Sequence, residues 1–209
     1  MLIQKWIRGL VIFLAGVIVG LVIFRWILLR QQSKTIGQPV PPPAVMANPQ
    51  ILSDFSLVDQ RGKKTRLSDF SDHYWVADFF FTRCLGPCPI LNATMAKLQD
   101  EFRNRNDLKF VSFTVDPEFD TPKVLKTYSE NFKAEQGRWY FLTGPKDKVF
   151  KLIQEGFQLA VGPDETDPIQ VVHSLSFVLI GKKGEVLGHF NSNEPEMLAL
   201  LRQRIKELP

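Results

Sequence analysis

The fold is decided by one short stretch, Phe79-Phe80-Phe81-Thr82-Arg83-Cys84-Leu85-Gly86-Pro87-Cys88-Pro89, which follows an apolar run and precedes a helical pattern. It contains both cysteines of the chain, with three residues between them. Two thiols at this spacing can form a disulfide or bind a soft metal ion. A purely structural disulfide is the less favoured interpretation, because closing so short a loop removes little entropy from the unfolded chain.

The composition excludes two classes of protein. With 44% hydrophobic and 23% charged residues, the chain is globular and not intrinsically disordered. Residues 1–47 contain five of the 26 basic residues and no acidic residue, whereas residues 48–209 contain 21 basic and 22 acidic residues. The net charge of +4 therefore belongs to the amino-terminal segment, and the rest of the chain lacks the basic surface of a nucleic-acid-binding protein.

Residues 1–34 are predicted to form a membrane anchor. The run from Gly9 to Phe24 has no charged residue, and Trp6 and Trp26 flank it. A helix of about 20 residues crosses the hydrocarbon core, and Trp is enriched at both interfaces. A cleaved signal peptide is the alternative, but its apolar part is typically only about 7–15 residues long. We therefore expect an uncleaved single-pass helix, whose flanking positive charges do not decide its orientation.

Residues 35–50 are predicted to be a linker. Five prolines lie between Gln38 and Gln50, and such a composition favours an extended, semi-rigid spacer. A proline-rich recognition motif is the alternative. The soluble domain then comprises residues 51–209.

Strands alternate with helices in the soluble domain. The patterns predict a hairpin over residues 55–67, strands over 75–81, 108–115, 139–142, 171–180 and 185–190, and helices over 89–102, 121–132, 145–154 and 194–207. This order predicts an α/β domain with helices on the faces of a central mixed sheet. Since the cysteine pair lies on a strand-to-helix turn, a thioredoxin-like fold is favoured.

The position of Cys88 at a helix start predicts a lowered pKa, because the helix dipole stabilises a thiolate there. Thioredoxin-type catalysts have two residues between their cysteines, and here Leu85 is additional. The longer spacing lets both sulfurs face one ion. Soft thiolates select Cu(I), zinc or iron–sulfur clusters, and an imidazole as third ligand suits copper or zinc.

Three histidines could supply that imidazole. His73 lies in a polar loop, and His189 has no evident partner in its neighbourhood. His173 lies at the start of an apolar strand, where the pattern alone leaves both a packed core residue and a metal ligand open.

Three motifs in order resemble the Sco/SenC family of copper proteins. Residues 82–89 are similar to its Cys-x-x-x-Cys-Pro signature, and residues 114–122 to its aspartate-proline segment and Asp-Thr-Pro helix start. His173-Ser174 then leads into a strand, as the ligand histidine of the family does. The likeness covers about residues 51–207.

The resemblance implies a thioredoxin-like fold in which Cys84, Cys88 and His173 bind one copper ion, Cu(I) or Cu(II). It also implies that the two cysteines form a redox-active disulfide. The implied role is delivery of copper, or of reducing equivalents, to the binuclear copper centre of cytochrome c oxidase. The implied partners are the copper-binding subunit of that oxidase, other copper chaperones and thioredoxin-like reductants. The resemblance places the domain outside the cytoplasm, on the periplasmic or intermembrane-space side.

The sequence departs from the family pattern at three positions. Leu85 stands where a proline usually follows the first cysteine, Val172 where an aspartate commonly precedes the histidine, and Phe119 where an arginine is frequent. Asp116 and Asp78 are candidates for buried acids near the site, and a capped structural residue is the alternative interpretation of each.

Two enzymatic alternatives follow from the same thiols. A thiol–disulfide oxidoreductase that reduces the cysteines of a copper-accepting partner is the main one. A peroxide-reducing enzyme is disfavoured, because Thr82 precedes Cys84 by two residues and not by the three of the Thr-x-x-Cys pattern.

Overall fold

The computed structural model describes residues 50–159, 161–163, 171–173 and 175–209, together with Gly16 and Arg25; for residues 162–163 and 171–173 it describes the backbone alone. Gly16 and Arg25 are helical and exposed. The rest of the predicted anchor and all of the predicted linker before Gln50 lie outside the described residues. None of the helices in the described part of the chain has the length and apolar character needed to cross a membrane.

The described part of the domain contains the strands β1 (Ser56–Asp59), β2 (Lys64–Arg66), β3 (Tyr74–Phe80), β4 (Leu108–Thr114), β5 (Trp139–Thr143), β6 (Val161–Pro163), β7 (Val171–His173), β8 (Ser176–Ile180) and β9 (Val186–Asn191). Seven of them form the central sheet, in the order β2-β1-β5-β4-β3-β8-β9. Strands β3, β4 and β5 are parallel to one another, and the remaining neighbours are antiparallel. The other two, β6 and β7, form a separate antiparallel ribbon.

Four α-helices connect or follow these strands. They are α1 (Pro87–Glu101), α2 (Pro122–Asn131), α3 (Lys146–Lys151) and α4 (Pro195–Glu207). Proline occupies the first turn of α1, α2 and α4, where its missing N–H is not needed. The N-cap of α2 is Thr121, whose hydroxyl accepts a hydrogen bond from the N–H of Val124 at 3.4 Å.

Helices α1 and α2 lie on the same face of the sheet, because the β3-α1-β4 and β4-α2-β5 crossovers proceed in the same direction across it. The amide of Asn92 in α1 bonds the hydroxyl of Tyr128 in α2, and the Tyr128 ring stacks on Phe80 of β3 at 5.1 Å. An aromatic cluster fills the opposite face, where Phe157 packs edge-on against Phe79 and Trp75.

The predicted alternation of strands and helices around a mixed sheet is confirmed, and two segments differ from prediction. The strand expected over residues 171–180 is two strands, because β7 pairs with β6 whereas β8 joins the main sheet between β3 and β9. The helix expected over 145–154 ends as α3 and continues as a π-helical turn, Leu152–Gly156. This turn delivers the buried Phe157 to the aromatic cluster.

Candidate metal centre

The two cysteines lie at the carboxyl end of β3, where the chain turns into α1. The N–H of Cys84 donates to the carbonyl of Phe81 at 3.2 Å, which closes the turn. Cys88 lies in the first turn of α1 and is fully buried, whereas Cys84 is half-buried. Their side chains are in hydrogen-bonding contact and are not joined in a disulfide. The turn therefore presents one accessible thiol with the second directly behind it.

The pKa of Cys88 differs from the sequence-based prediction. Burial raises it well above the usual range of a thiol, and the neighbouring Cys84 raises it further; a backbone hydrogen bond from Phe81 acts in the opposite direction. The predicted lowering was wrong, because loss of water around the thiolate outweighs the helix terminus. The Cys88 thiol is therefore protonated at neutral pH, and a metal ion that binds it must displace the proton.

Asp78 lies on β3, fully buried, on the face of the sheet that α1 and α2 cover. Burial raises its pKa to about 7, and Ser112 on β4 offsets this only in part. Neither carboxylate oxygen has a hydrogen-bond partner among the described residues. The charge of Asp78 contributes to the raised pKa of Cys88. Asp78 is therefore a fully buried acid whose charge acts on Cys88, and its role at a metal site stays a prediction.

The buried side-chain amide of Asn92 connects helices α1 and α2 next to Cys88. Asn92 donates to the carbonyl of Cys88 and to the hydroxyl of Tyr128, both at 3.2 Å. Burial raises the pKa of Tyr128, and the Cys88 charge adds to this effect. Neither Asn92 nor Tyr128 can be recognised from the sequence as part of the site, because the facing positions of two helices follow from tertiary packing alone.

Asp120 fixes the segment that carries the cysteines. Its carboxylate accepts hydrogen bonds from the N–H of Thr82 at 3.1 Å, from the Thr82 hydroxyl, and from the Thr114 hydroxyl at 2.5 Å. The residue is fully buried, and burial raises its pKa. In the sequence, Asp120 stands out only as part of a helix-start motif, a position where hydrogen bonds from side-chain carboxylates to backbone N–H groups are expected.

Asp116 lies in an ion pair and not against the cysteines. One of its carboxylate oxygens accepts two hydrogen bonds from the Arg83 guanidinium, at 3.1 and 2.6 Å. The same guanidinium lies 4.4 Å from the centre of the Phe119 ring. Asp116 therefore acts on the site through Arg83, which directly precedes Cys84.

For His173, the third predicted ligand, the structure describes the position of the backbone only. It lies in β7 opposite Val161 of β6, and its side chain lies outside what is described. Within the described side chains, no three His, Cys, Asp or Glu residues are grouped closely enough to hold a metal ion.

The other two histidines lie elsewhere in the domain. The ring of His73 is hydrogen-bonded to the carbonyl of Ser71 at 2.9 Å. His189 lies on β9, where burial lowers its pKa.

Residues 44–207 match the family model described as SCO1/SenC. The chain belongs to the SCO1/SenC family. The resemblance predicted from the three motifs is therefore confirmed, and the fold is the thioredoxin-like fold of Sco proteins.

Sco proteins from several organisms are similar to this chain. The SCO1 protein homolog of Bacillus subtilis is 37% identical over 142 residues, which cover 67% of this chain and 73% of that protein. BsSco, described as a Sco-family cytochrome c oxidase assembly protein with a disulfide switch, is 32% identical with a TM-score of 0.66 over 81% of this chain and 96% of its own. Yeast Sco1 with copper bound is 22% identical, with a TM-score of 0.63 over 77% of this chain and 91% of its own.

Proposed function

We propose that this Sco protein binds copper and delivers it to the binuclear copper site of cytochrome c oxidase during assembly. The observation that carries the proposal is the turn between β3 and α1, in which the reduced Cys84 and Cys88 are in contact and Cys84 is half-buried, and so still accessible from solvent. Copper is the cargo of this reaction, so the site must both bind and release it. A half-exposed ligand suits release, because an acceptor can reach it without unfolding of the domain.

Cys84, Cys88 and His173 are the proposed copper ligands. Two thiolates and an imidazole match the preference of Cu(I) for soft, low-coordinate sites. The raised pKa of Cys88 makes proton release part of copper binding. Support for copper as the metal comes from yeast Sco1, whose structure holds copper.

We further propose that the domain is anchored outside the cytoplasm by a single helix within residues 1–34. The support is the uncharged run from Gly9 to Phe24, which is close in length to a membrane span. The proline-rich residues 35–50 then act as the spacer. A reporter fused after Pro209 that is active only outside the cytoplasm tests this placement, and activity only of a cytoplasmic reporter contradicts it.

The delivery function is tested in a strain that lacks this protein. We expect loss of the binuclear copper site of the oxidase, restored by the wild-type chain and not by a Cys84→Ser, Cys88→Ser double variant. Lys97→Ala, a substitution in the middle of α1, is the matched control and should restore assembly. Full copper content of the oxidase with the double variant would contradict the proposal.

A thiol–disulfide oxidoreductase is the second candidate function. In this reaction the Cys84–Cys88 dithiol gives two electrons and two protons to a partner disulfide, and becomes a disulfide itself. A thioredoxin-like reductant would then restore the dithiol. The contact between the two reduced side chains favours this chemistry, and the disulfide switch described for BsSco supports it.

The reduction potential of the Cys84–Cys88 pair tests this second function. A potential below that of the partner cysteines is required for reduction to proceed. A potential well above that of the partner would exclude the reductase role and leave copper delivery unaffected.

A further inference from the structure

An unusual group of apolar side chains surrounds Cys84. Of the large apolar side chains that the structure describes, four are exposed: Leu85 by 99%, Ile90 by 72%, Ile51 by 64% and Phe119 by 44%. Three of these lie near the cysteines: Leu85 lies between Cys84 and Cys88 in the chain, Ile90 lies in the first turn of α1, and Phe119 lies in the loop before α2. We call these three residues the apolar collar.

Positions in the chain and one side-chain contact place the collar near the two cysteines. Leu85 follows Cys84 in the chain, and Ile90 lies two residues after Cys88. Phe119 belongs to a different loop, but its ring carries the guanidinium of Arg83 at 4.4 Å. The neighbouring Asp120 ties that loop to Thr82. Leu85 is therefore next to Cys84 in the chain, Phe119 contacts Arg83, which precedes Cys84, and Ile90 lies in the first turn of α1 with Cys88.

The charges beside the collar are already paired within the domain. Arg83 is bound by Asp116, with the shorter of two hydrogen bonds at 2.6 Å, and Glu118 is bound by Lys146 at 3.2 Å. A charged partner would have to compete with these pairs, whereas an apolar partner surface would not. Exposed apolar groups of this kind mark interaction sites on soluble proteins.

We propose that the apolar collar is the docking surface for the copper-accepting protein, and that this acceptor presents an apolar surface around its own thiols. The inference rests on the proposed copper delivery. For copper to pass directly, an acceptor sulfur must reach bonding distance of the ion, and the acceptor must then cover the residues around Cys84. Three side chains make a small interface, as expected of a transient complex.

The transfer step is a ligand exchange. The two Cu–S bonds to Cys84 and Cys88 and the Cu–N bond to His173 break as two Cu–S bonds to acceptor cysteines form, and the His173 imidazole leaves as a neutral group that takes up no proton. Copper remains Cu(I), so no electron is transferred. The two protons released by the acceptor thiols are matched by the two taken up on Cys84 and Cys88.

The proposal is tested by the rate of copper transfer. The full-length chain, loaded with Cu(I), is mixed without oxygen with the reduced, metal-free copper-binding domain of the oxidase from the same organism. We expect a Leu85→Ser, Ile90→Ser, Phe119→Ser triple variant to lower the second-order rate constant about tenfold or more, as for loss of an interface hot spot. Phe119→Leu, which keeps an apolar side chain, should retain more of the rate than Phe119→Ser.

Two controls separate docking from other effects. Ile51→Ser removes an equally exposed apolar side chain at the other end of the domain and should leave the rate unchanged within about twofold, as for a surface substitution. Transfer to a small-molecule Cu(I) chelator needs no docking surface, so the triple variant should give copper to the chelator at the wild-type rate.

Several outcomes would overturn the proposal. Equal protein-to-protein rates for the triple variant and Ile51→Ser would remove the docking role while leaving copper delivery intact. An equal slowing toward the chelator would assign the collar to the metal site itself. A concentration-dependent dimer that Leu85→Ser abolishes would assign it to a second copy of this chain. If the wild-type chain transfers no copper at all, the proposed delivery function fails and the docking role fails with it.

Discussion

The buried Asp78 carboxylate acts on both the Cys88 thiol and the stability of the domain. Neither of its oxygens has a hydrogen-bond partner among the described residues, and burial raises its pKa to about 7. Its charge in turn contributes to the raised pKa of Cys88. The protonation state of Asp78 therefore affects how readily the thiol behind Cys84 ionises.

Replacement of Asp78 by Asn should change the pH dependence of stability. Between pH 3.8, the ordinary pKa of an aspartate, and about pH 7, its raised pKa in the folded chain, folded Asp78 holds a proton that the unfolded chain has released. The free energy of unfolding then falls as pH rises, by up to about 1.4 kcal/mol per pH unit. Asn has no charge to bury, so Asp78→Asn should lack this fall and be the more stable protein at pH 8. Urea unfolding across pH 4–8 checks this, and parallel profiles for variant and wild type would contradict it.

Asp120→Asn should loosen the segment that carries the cysteines. Asn has one accepting oxygen, whereas Asp120 accepts three hydrogen bonds, from Thr82 and Thr114. We expect a loss of about 1–3 kcal/mol in the free energy of unfolding, the cost of leaving buried donors unpaired. Asp100→Asn removes an exposed ion pair with Arg103 and is the matched control. Equal losses in urea unfolding would show that Asp120 has no special structural role.

Individual elements differ in how well the sequence predicts them. Helix α1 was predicted within two residues of its bounds, and apolar residues that recur along it every three or four positions are buried: Leu91, Met95 and Leu98. Such a periodicity reports directly on which face contacts the sheet. The break between β7 and β8 has no such signal, because the choice of β6 as the partner of β7 is made by tertiary pairing.

Phe157 tests the role of the π-helical turn. The turn delivers its ring between Phe79 and Phe113, at 5.0 and 5.3 Å between ring centres. Phe157→Ala should cost about 3–5 kcal/mol, the usual cost of a cavity of this size in an aromatic core. Phe150→Ala in α3, where the ring is only partly buried, should cost about 1 kcal/mol. Thermal and urea unfolding measure both, and similar costs would contradict an anchoring role.

Those features of the candidate site that depend only on neighbouring residues in the chain were predictable from the sequence. The cysteine pair, its spacing and its position on a strand-to-helix turn are all visible in residues 79–89. The raised pKa of Cys88 is not, because burial is decided by the helices that cover it. The partners of Asp120 and Asp116 also depend on segments that meet only in the folded chain.

At the scale of the whole molecule, the dithiol and the start of the described domain lie at opposite ends of the sheet. The N–H of Leu52 bonds the carbonyl of Gly184 at 2.9 Å, in the turn that joins β8 to β9. Since Trp75 pairs with Ile180, this turn lies at the amino end of β3, whereas Cys84 follows the carboxyl end. Cys84 therefore lies at the end of β3 opposite to the turn that contacts Leu52.

Cys84, Cys88 and His173 are proposed to hold one copper ion. The most direct test is the Cu(I) affinity of the full-length chain, measured without oxygen by competition with a chromophoric chelator. We expect one Cu(I) per chain, and an affinity lowered about tenfold or more by His173→Ala, because one of three ligands is lost. His73→Ala, which removes a histidine from a surface loop, should bind copper as the wild type does. Equal affinities in the two histidine variants would contradict the three-ligand copper site.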